Sequence, residues 1–266
     1  MSTDTLVVKI GGSTLGAHDT TLEDLVTLQR RGACPIVVHG GGKTITQWLD
    51  KQKVPTRFVR GLRVTDAQSL QVVVAVLAGL VNKELVAGLC ALGGKAMGLC
   101  GADGRFLEAR ITDPALGFVG DVDRVDVAPL RAVMDGGYIP VVAPVALQAT
   151  NAGEGAGTLL NINADTVAGV IAAAVHARRL VFLTDVPGIC DKSGALLPRL
   201  TAQETRDLIA KGVIAGGMIP KAEACLRALD SVAEALILDG RSRHALLEGL
   251  GERSEGTRII SGGTTP

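Results

Sequence analysis

The stretch LVVKIGGS at residues 6–13 begins with a short apolar run that contains a single lysine, and two glycines and a serine follow that run. The next apolar run, PIVVH at residues 35–39, is likewise followed by glycines, at positions 40–42. Further runs of the same apolar character lie at residues 138–143, 180–184 and 235–238. Strands that are apolar along their whole length are typical of a parallel sheet covered on both faces. These runs therefore predict the main strands of such a sheet.

Helical patterns separate the predicted strands. Residues 70–81 and 167–175 carry apolar side chains at the three- and four-residue spacing of a helix face. Thr201 and Glu204 form a capping-box pattern that predicts the start of a helix, and Gly212 predicts its end. Alternating strands and helices predict an α/β fold with a mainly parallel sheet.

Two irregular places interrupt this alternation. The pattern becomes hairpin-like at residues 99–127, where Asp103 and Gly104 form a turn signal. A predicted helix ends near Ala177 and Arg178, which is where we expect the chain to divide.

The composition excludes several functions. The 266 residues carry 27 basic and 27 acidic side chains, and only 2% are aromatic, whereas a general nucleic-acid binder needs a basic surface and stacking aromatic rings. The longest apolar runs, residues 72–81 and 167–175, are shorter than the roughly 20 residues of a membrane span. The first residues lack the basic and apolar pattern of a secretory signal, so we expect none, and the five scattered cysteines indicate neither a zinc site nor a disulfide framework. We therefore expect a cytoplasmic chain.

Three charged residues stand out by their positions. Lys9 lies inside an apolar strand, and Lys221 follows Pro220, a residue that favours the first position of a helix, where a cation opposes the helix dipole. Asp165 falls in the first turn of a helix that Asn163 is expected to cap. Both lysines are explained if they bind phosphate and Asp165 holds them. The alternatives are surface lysines and a plain helix-start role for Asp165.

The glycine clusters after the first two strands also point to phosphate. Glycine at the carboxyl end of a parallel strand lets backbone N–H groups approach an anion, although two tight turns would need glycine as well. A P-loop is excluded, because its first glycine would stand at the position of Val37. Arg63 is suited to hold a substrate carboxylate, or is a surface loop arginine. No histidine forms a nucleophilic triad, and we expect His39 to be structural.

Six motifs in order along the chain carry a family resemblance: VVKIGGS at 7–13, HGGG at 39–42, GLRVT at 61–65, NINAD at 161–165, TDVPG at 184–188 and GGMIPK at 216–221. With these motifs the chain resembles the amino-acid kinase superfamily from residue 6 to about residue 260. LGFVGDV at residues 116–122 is similar to those members that phosphorylate the γ-carboxylate of N-acetyl-L-glutamate in arginine biosynthesis.

The resemblance implies a three-layer α/β/α sandwich with a mainly parallel open sheet and two lobes. Residues 1–177 would bind the acyl amino acid and dimerise, and residues 178–266 would bind ATP. Lys9 and Lys221 would stabilise the transferring phosphoryl group, and Asp165 would position both. The implied substrate-binding residues are Gly41, Gly42, Arg63 and Asn161. The implied nucleotide-binding residues are Gly11, Gly12, Thr184, Asp185, Val186, Gly188, Ile214 and Met218.

The implied cofactors are ATP and Mg²⁺, with Mg²⁺ bridging the β- and γ-phosphates, and the implied partner is the small molecule N-acetyl-L-glutamate. Arginine-inhibited members carry an extra N-terminal helix that links dimers into hexamers. Since five residues precede the first strand, we expect a homodimer without strong arginine feedback.

Two alternative functions are a kinase of a related carboxylate, such as a carrier-linked aminoadipate, and a catalytically silent nucleotide-binding regulator. Zero net charge gives no support to the first, which would want a basic surface for an acidic carrier. The presence of both lysines and of Asp165 argues against the second.

Overall fold

The structure is a computed structural model that describes residues 4–11, 20–59, 61–149, 157–251 and 255–262. Its elements in chain order are β1 (Thr5–Ile10), α1 (Thr21–Arg30), β2 (Cys34–His39), α2 (Gly42–Lys51), β3 (Phe58–Val59), β4 (Leu62–Arg63), α3 (Ala67–Val74), a π-helical segment (Ala75–Val81), α4 (Asn82–Ala91), β5 (Ala96–Cys100), β6 (Leu107–Ile111), β7 (Val119–Val125), α5 (Ala128–Asp135), β8 (Ile139–Ala143), β9 (Val145–Gln148), β10 (Leu159–Ile162), α6 (Ala164–Ala174), β11 (Arg179–Thr184), β12 (Arg199–Thr201), α7 (Ala202–Ala210), α8 (Met218–Ala228), β13 (Glu234–Asp239), α9 (Ala245–Gly249) and β14 (Thr257–Ile260).

Eight strands form the main sheet in the order β12-β14-β13-β11-β1-β2-β8-β5. Neighbouring strands run parallel except β13 and β14, which are antiparallel. The five strands predicted from apolar runs are all present in it. Because β1 lies between β11 and β2, Lys9 stands in the middle of the sheet, and the three strands end at a common edge.

Alternate residues of the central strands pack into two separate apolar layers. Val7 belongs to a buried cluster with residues of α6 and α8, whereas Val8 and Ile10 belong to a cluster with residues of α1 and α4. This alternation follows from the two-residue period of a strand. The predicted three-layer α/β/α sandwich is confirmed.

The main sheet runs without interruption across the position where we expected the chain to divide. Arg178 N–H donates to Thr5 C=O at 2.8 Å, and β1 then pairs with β11 along its length. The two-lobe division at residue 177 stays a prediction.

A small closed barrel of β10, β7, β6 and β9 lies beside the main sheet. The hairpin expected at residues 99–127 is formed by β6 and β7, which pair antiparallel. Asp103 and Gly104 do form a turn, with Gly104 at φ 62°. That turn, however, joins β5 of the main sheet to β6 of the barrel, so it is not the turn of the hairpin.

Helix α3, the π-helical segment and α4 form one continuous helix, Ala67–Ala91, that is long and apolar enough to cross a membrane. The apolar run at residues 72–81 is itself shorter than a membrane span, and the helix exceeds that run because it continues through Asn82 and Lys83 to Ala91. Core helices of soluble proteins meet the same criterion, and α4 packs on α1, β5 and β8.

Candidate active site

Lys9, Asp165 and Lys221 meet at the carboxyl-terminal half of β1. The Lys9 side chain is 9% exposed, and its Nζ lies 2.8 Å from Asp165 Oδ1. Lys221 Nζ donates to the other carboxylate oxygen, Oδ2, at 3.0 Å. Two ammonium groups therefore share one buried carboxylate, although β1, α6 and α8 are far apart along the chain.

The charge balance of this cluster keeps Asp165 ionised. Burial by itself raises the pKa of Asp165, but the positive charges of Lys9 and Lys221 outweigh burial and lower its pKa below the ordinary value of 3.8. Two cations and one anion leave one net positive charge. Each ammonium group has three N–H donors, so the shared carboxylate leaves donors on both for an anionic ligand.

Local structure explains how the three residues come together. The Asn163 side chain accepts hydrogen bonds from the backbone N–H groups of Asp165 and Thr166, which caps α6 as predicted and places Asp165 in its first turn. Gly169, one turn further along, faces α8: a Cβ atom at this position would lie 2.9 Å from the carbonyl oxygen of Ala224. The absence of a side chain at Gly169 lets α6 and α8 pack closely.

The start of α8 differs from the prediction. The helix begins at Met218, so Pro220 is its third residue and Lys221 its fourth. The first turn of a helix needs no intrahelical N–H donors, so proline is tolerated there beyond the first position. Lys221 consequently sits at the end of the first turn.

The described glycines that follow β1 and β2, Gly11 and Gly40 to Gly42, lie together at the edge of the sheet. Gly40 N–H donates to Ile10 C=O at 3.0 Å, which joins the two strand ends. Gly41 precedes α2, and a Cβ atom there would lie 2.6 Å from Leu77 Cδ2. Gly11 directly follows β1, and Gly12 lies outside the described residues.

A cavity of about 210 Å³ opens beside this glycine edge. It is lined by all four residues predicted to bind substrate, Gly41, Gly42, Arg63 and Asn161. Among the described lining residues, Arg63 carries the one charged side chain. The cavity therefore suits a small anionic ligand.

Arg63 is held in a defined orientation. Its Nη2 donates to Gly42 C=O at 3.0 Å and to Thr46 Oγ1 at 2.8 Å, and its guanidinium carbon lies 4.8 Å from the centre of the Phe58 ring. The sequence reasoning missed Thr46, although it stands one helical turn after Gly42, the first residue of α2.

Thr65 was also missed. This buried residue accepts a hydrogen bond from Asn161 Nδ2 at 3.1 Å and donates to Arg63 C=O at 3.0 Å. It thus ties the two polar residues of the cavity together. The signal was its place in the GLRVT motif, two residues after the strand that ends in Arg63.

Four of the residues assigned to the nucleotide, Thr184, Asp185, Val186 and Gly188, lie at or after the end of β11, which pairs with β1 on the side opposite β2. Thr184 ends β11, and its Oγ1 accepts from Val186 N–H at 3.0 Å, which shapes the loop that also contains Asp185. Gly188 has φ 146°, and a Cβ atom there would lie 2.7 Å from Thr257 Oγ1.

The two remaining nucleotide residues lie at and before α8. Met218 is the first residue of that helix, whereas the Ile214 side chain is buried in the apolar core. The structure therefore gathers Thr184–Gly188 at the same sheet edge as Lys9, and the nucleotide-binding roles stay predictions.

A sheet edge lined with glycine, beside two ammonium groups on one carboxylate, is suited to phosphoryl transfer. The model of the amino acid kinase family matches residues 4–239, and the chain belongs to that family.

Among its curated relatives, the acetylglutamate kinase of Dehalococcoides mccartyi is 44% identical over 254 residues, covering 96% of this chain and 93% of the relative. The acetylglutamate kinase of Prochlorococcus marinus is 47% identical over 265 residues, covering 96% and 84%. The solved structure of smu.665 from Streptococcus mutans superposes with a TM-score of 0.83 at 30% identity, covering 97% of this chain and 99% of that one. The resemblance carried by the six motifs is confirmed.

Proposed function

We propose that this chain is an acetylglutamate kinase, which transfers the γ-phosphoryl group of ATP to the γ-carboxylate of N-acetyl-L-glutamate in arginine biosynthesis. The observation that carries the proposal is the pair of ammonium groups, Lys9 and Lys221, on the single carboxylate of Asp165 at a glycine-lined sheet edge. Relatives that are 44–47% identical over almost the whole chain carry the same name.

The reaction needs no general base. A γ-carboxylate is ionised at pH 7, so one of its oxygens attacks the γ-phosphorus directly while the bond from that phosphorus to the β-phosphate oxygen breaks and ADP leaves. The difficulty is to bring two anions together and to stabilise the negative charge that spreads over the phosphoryl oxygens. Lys9, Lys221 and the N–H groups of the glycine edge supply fixed donors for that charge.

The acyl amino acid is proposed to occupy the cavity of about 210 Å³. Arg63 would bind its α-carboxylate, since Arg63 carries the one charge among the described lining residues, and Asn161 would donate to the same group. ATP would lie on the other side of Lys9, against Thr184, Asp185, Val186, Gly188, Ile214 and Met218.

Mg²⁺ is proposed to enter as the complex with ATP. Among the described residues there is no group of three or more His, Cys, Asp or Glu side chains that could hold a metal ion, and the Asp165 carboxylate is occupied by lysines. These residues fit a metal carried by phosphates, which is how Mg²⁺ is usually bound, and not a protein cage. When bound, it would neutralise charge on the β- and γ-phosphates.

We further propose that the chain is cytoplasmic and forms a homodimer through its N-terminal lobe. Support comes from the apolar helix Ala67–Ala91, because only 44% of its most apolar window is buried in the single chain. Gel filtration should then give twice the 27.4 kDa mass of the chain. Elution at the mass of one chain would contradict the dimer.

The test of function is ADP release by the purified chain with MgATP and, separately, N-acetylglutamate, glutamate, aspartate or aminoadipate. We expect ADP with N-acetylglutamate, together with an acyl phosphate that hydroxylamine traps as a hydroxamate. Faster release with an aminoadipate derivative would favour the related-carboxylate kinase. Binding of ATP without ADP release from any acceptor would favour the silent regulator.

A further inference from the structure

A buried chain of hydrogen bonds reaches the glycine edge from the side of α4. His39, 1% exposed, has Nδ1 2.9 Å from the carbonyl oxygen of Gly40. Its other ring nitrogen, Nε2, lies 3.2 Å from Asn82 Nδ2. Asn82 is fully buried, and its Nδ2 also lies 2.8 Å from Val141 C=O, while its Oδ1 lies 3.0 Å from Lys83 Nζ.

The partners fix the direction of every bond in this chain. Val141 C=O can only accept and Lys83 can only donate, so the NH₂ group of Asn82 must face Val141 and His39. That NH₂ group donates to Nε2 of His39, and the ring proton therefore lies on Nδ1, which donates to Gly40 C=O.

The His39 ring is neutral. The pKa of His39 is lowered to about 4, mainly by burial and also by the nearby charges of Lys83 and Lys9, while the bond to Gly40 only partly opposes this shift. A neutral ring with one donor and one acceptor matches both of its neighbours.

The bond to Gly40 has a consequence for the next residue. In a trans peptide the C=O and the N–H of one peptide unit point in opposite directions. Holding Gly40 C=O toward the His39 ring therefore directs Gly41 N–H away from it. Within the described part of the chain this N–H has no hydrogen-bond partner, and Gly41 lines the cavity.

The π-helical segment supplies the support for this loop. Its Leu77 side chain packs on Gly41, and Asn82 follows directly after the segment. On the other side, a Cβ atom at Gly98 would lie 1.9 Å from Asn82 Oδ1, so β5 leaves room for Asn82 only because glycine stands there. Such π-helical turns are frequent at functional sites.

We propose that His39 and Asn82 are positioning residues for phosphoryl transfer: they hold the Gly40–Gly41 peptide so that Gly41 N–H points at the phosphoryl group. Neither residue touches the reacting atoms. The inference rests on the proposed function and adds to it the residues that fix the orientation of the Gly40–Gly41 peptide.

Two substitutions of the same residue separate positioning from packing. His39→Asn keeps an amide N–H near the place of Nδ1–H, whereas His39→Gln keeps a polar group near the place of Nε2 and loses the donor to Gly40. We expect His39→Gln to lower kcat by about tenfold or more, with KM for either substrate changed less than about threefold. His39→Asn should keep kcat within about threefold of the parent enzyme.

His244→Gln is the matched control. His244 also uses Nδ1, at 2.6 Å from Asp24 Oδ1, but it joins α9 to α1. This variant should lower Tm and leave kcat unchanged. Equal kcat in His39→Asn and His39→Gln, or a loss confined to KM, would overturn the positioning role.

A second measurement does not depend on activity or on variants. The ¹⁵N spectrum of the His39 ring in the parent protein at pH 7 should show a proton on Nδ1 and none on Nε2. A proton on Nε2 would overturn the hydrogen-bond chain. If the parent protein releases no ADP with N-acetylglutamate while this spectrum is as expected, the proposed function fails and the hydrogen-bond chain does not.

Discussion

Two carboxylates in this molecule, the buried Asp165 and the half-buried Glu234, each hold two cationic side chains, and they stand at opposite edges of the main sheet. Asp165 lies at the carboxyl edge, beside the end of β1, and Glu234 begins β13 at the amino edge. The cations are Lys9 and Lys221 at Asp165, and Arg179 and Arg258 at Glu234. In both clusters the cations lower the pKa of the carboxyl group although burial raises it.

The two clusters differ in the kind of cation. Arg179 Nε donates to Glu234 at 2.5 Å, and Arg258 both contacts the same carboxylate and donates to Gly251 C=O at 2.9 Å. Planar guanidinium groups fit a carboxylate and stay in place. Lysine ammonium groups keep further donors that can turn toward a ligand. The arginine cluster (Arg179, Arg258 and Glu234) is therefore suited to hold strands together, whereas the lysine cluster (Lys9, Lys221 and Asp165) is suited to the proposed role of binding a substrate whose charge changes.

The largest expected effect comes from removing one cation of the lysine cluster, and it tests whether the two clusters have different roles. Lys9→Ala or Lys221→Ala should lower kcat by 100-fold or more, on the order of 3 kcal/mol of transition-state stabilisation, with smaller changes in KM. The matched variant Arg179→Ala removes a cation from the other cluster and should lower Tm with kcat almost unchanged. Steady-state kinetics and thermal unfolding of the three variants provide the measurement.

A change confined to KM in the lysine variants would mean that they bind substrate and transition state equally well. A loss of kcat in Arg179→Ala as large as in Lys9→Ala would show that the two clusters do not have separate tasks.

The titratable groups at the two edges of the sheet should lose their contributions to the free energy of unfolding in different pH ranges. His39, at the Lys9 edge, has its pKa lowered from 6.5 to about 4. Between pH 6.5 and pH 4, therefore, the imidazole is protonated in the unfolded chain and neutral in the folded chain. Stability is therefore lost as pH falls from 6.5 to 4, by up to about 3 kcal/mol. Glu234 has its pKa lowered below 4.5, so its contribution is lost only below that pH.

Urea unfolding of the parent protein, His39→Asn and Glu234→Gln between pH 7 and pH 3 measures both contributions. The difference between parent and His39→Asn should change above pH 4, and the difference between parent and Glu234→Gln below pH 4.5. A His39→Asn difference that is flat between pH 6.5 and pH 4 would contradict the neutral ring.

The sequence predicted the lysine cluster but not the arginine cluster, for a physical reason. Lys9 interrupts an apolar strand and Asp165 opens a capped helix, so each is conspicuous in its own segment. Glu234, Arg179 and Arg258 stand at strand positions where charges are unremarkable. They meet only because β11, β13 and β14 are neighbours in one register, which no local pattern specifies.

Other features escaped prediction because they depend on tertiary contacts. The apolar spacing of residues 70–81 predicted a helix, but not that Ala75–Val81 is π-helical with Leu77 packed on Gly41. The small barrel is built from strands of four to seven residues that bury each other. Short strands of this kind carry too few residues for a clear periodic signal.

Arg63 is an arginine at the same sheet edge as the lysine cluster, so it tests whether the type of cation alone decides the role. Its partners there are a carbonyl group and hydroxyl groups, not a carboxylate, so its charge is left for a ligand. Arg63→Ala should raise KM for N-acetylglutamate by about 10- to 100-fold, the effect of losing a charge-assisted hydrogen bond of roughly 1.5–3 kcal/mol. KM for ATP should change less than about twofold.

Arg63→Lys keeps the charge and loses the planar fork, so it should give an intermediate KM for N-acetylglutamate. If ATP affinity falls while that for N-acetylglutamate is kept, Arg63 serves the nucleotide and the assignment of the cavity is wrong.

The smallest expected effect changes the spacing of the lysine cluster without changing any charge. In Gly169→Ala the new Cβ would lie 2.9 Å from Ala224 C=O, so α8 must move away from α6, at a cost of roughly 1–3 kcal/mol in the free energy of unfolding. The same movement carries Lys221 away from Asp165 and should lower kcat several-fold.

Gly79→Ala is the control, since a Cβ atom there meets nothing within 4 Å and alanine favours a helix. Its stability and kcat should equal or exceed those of the parent. If Gly169→Ala lowers Tm while kcat is retained, the distance between Lys221 and Asp165 does not limit the transfer. The lysine cluster would then tolerate a change of geometry, because its ammonium groups can reorient, unlike the planar guanidinium groups of the arginine cluster.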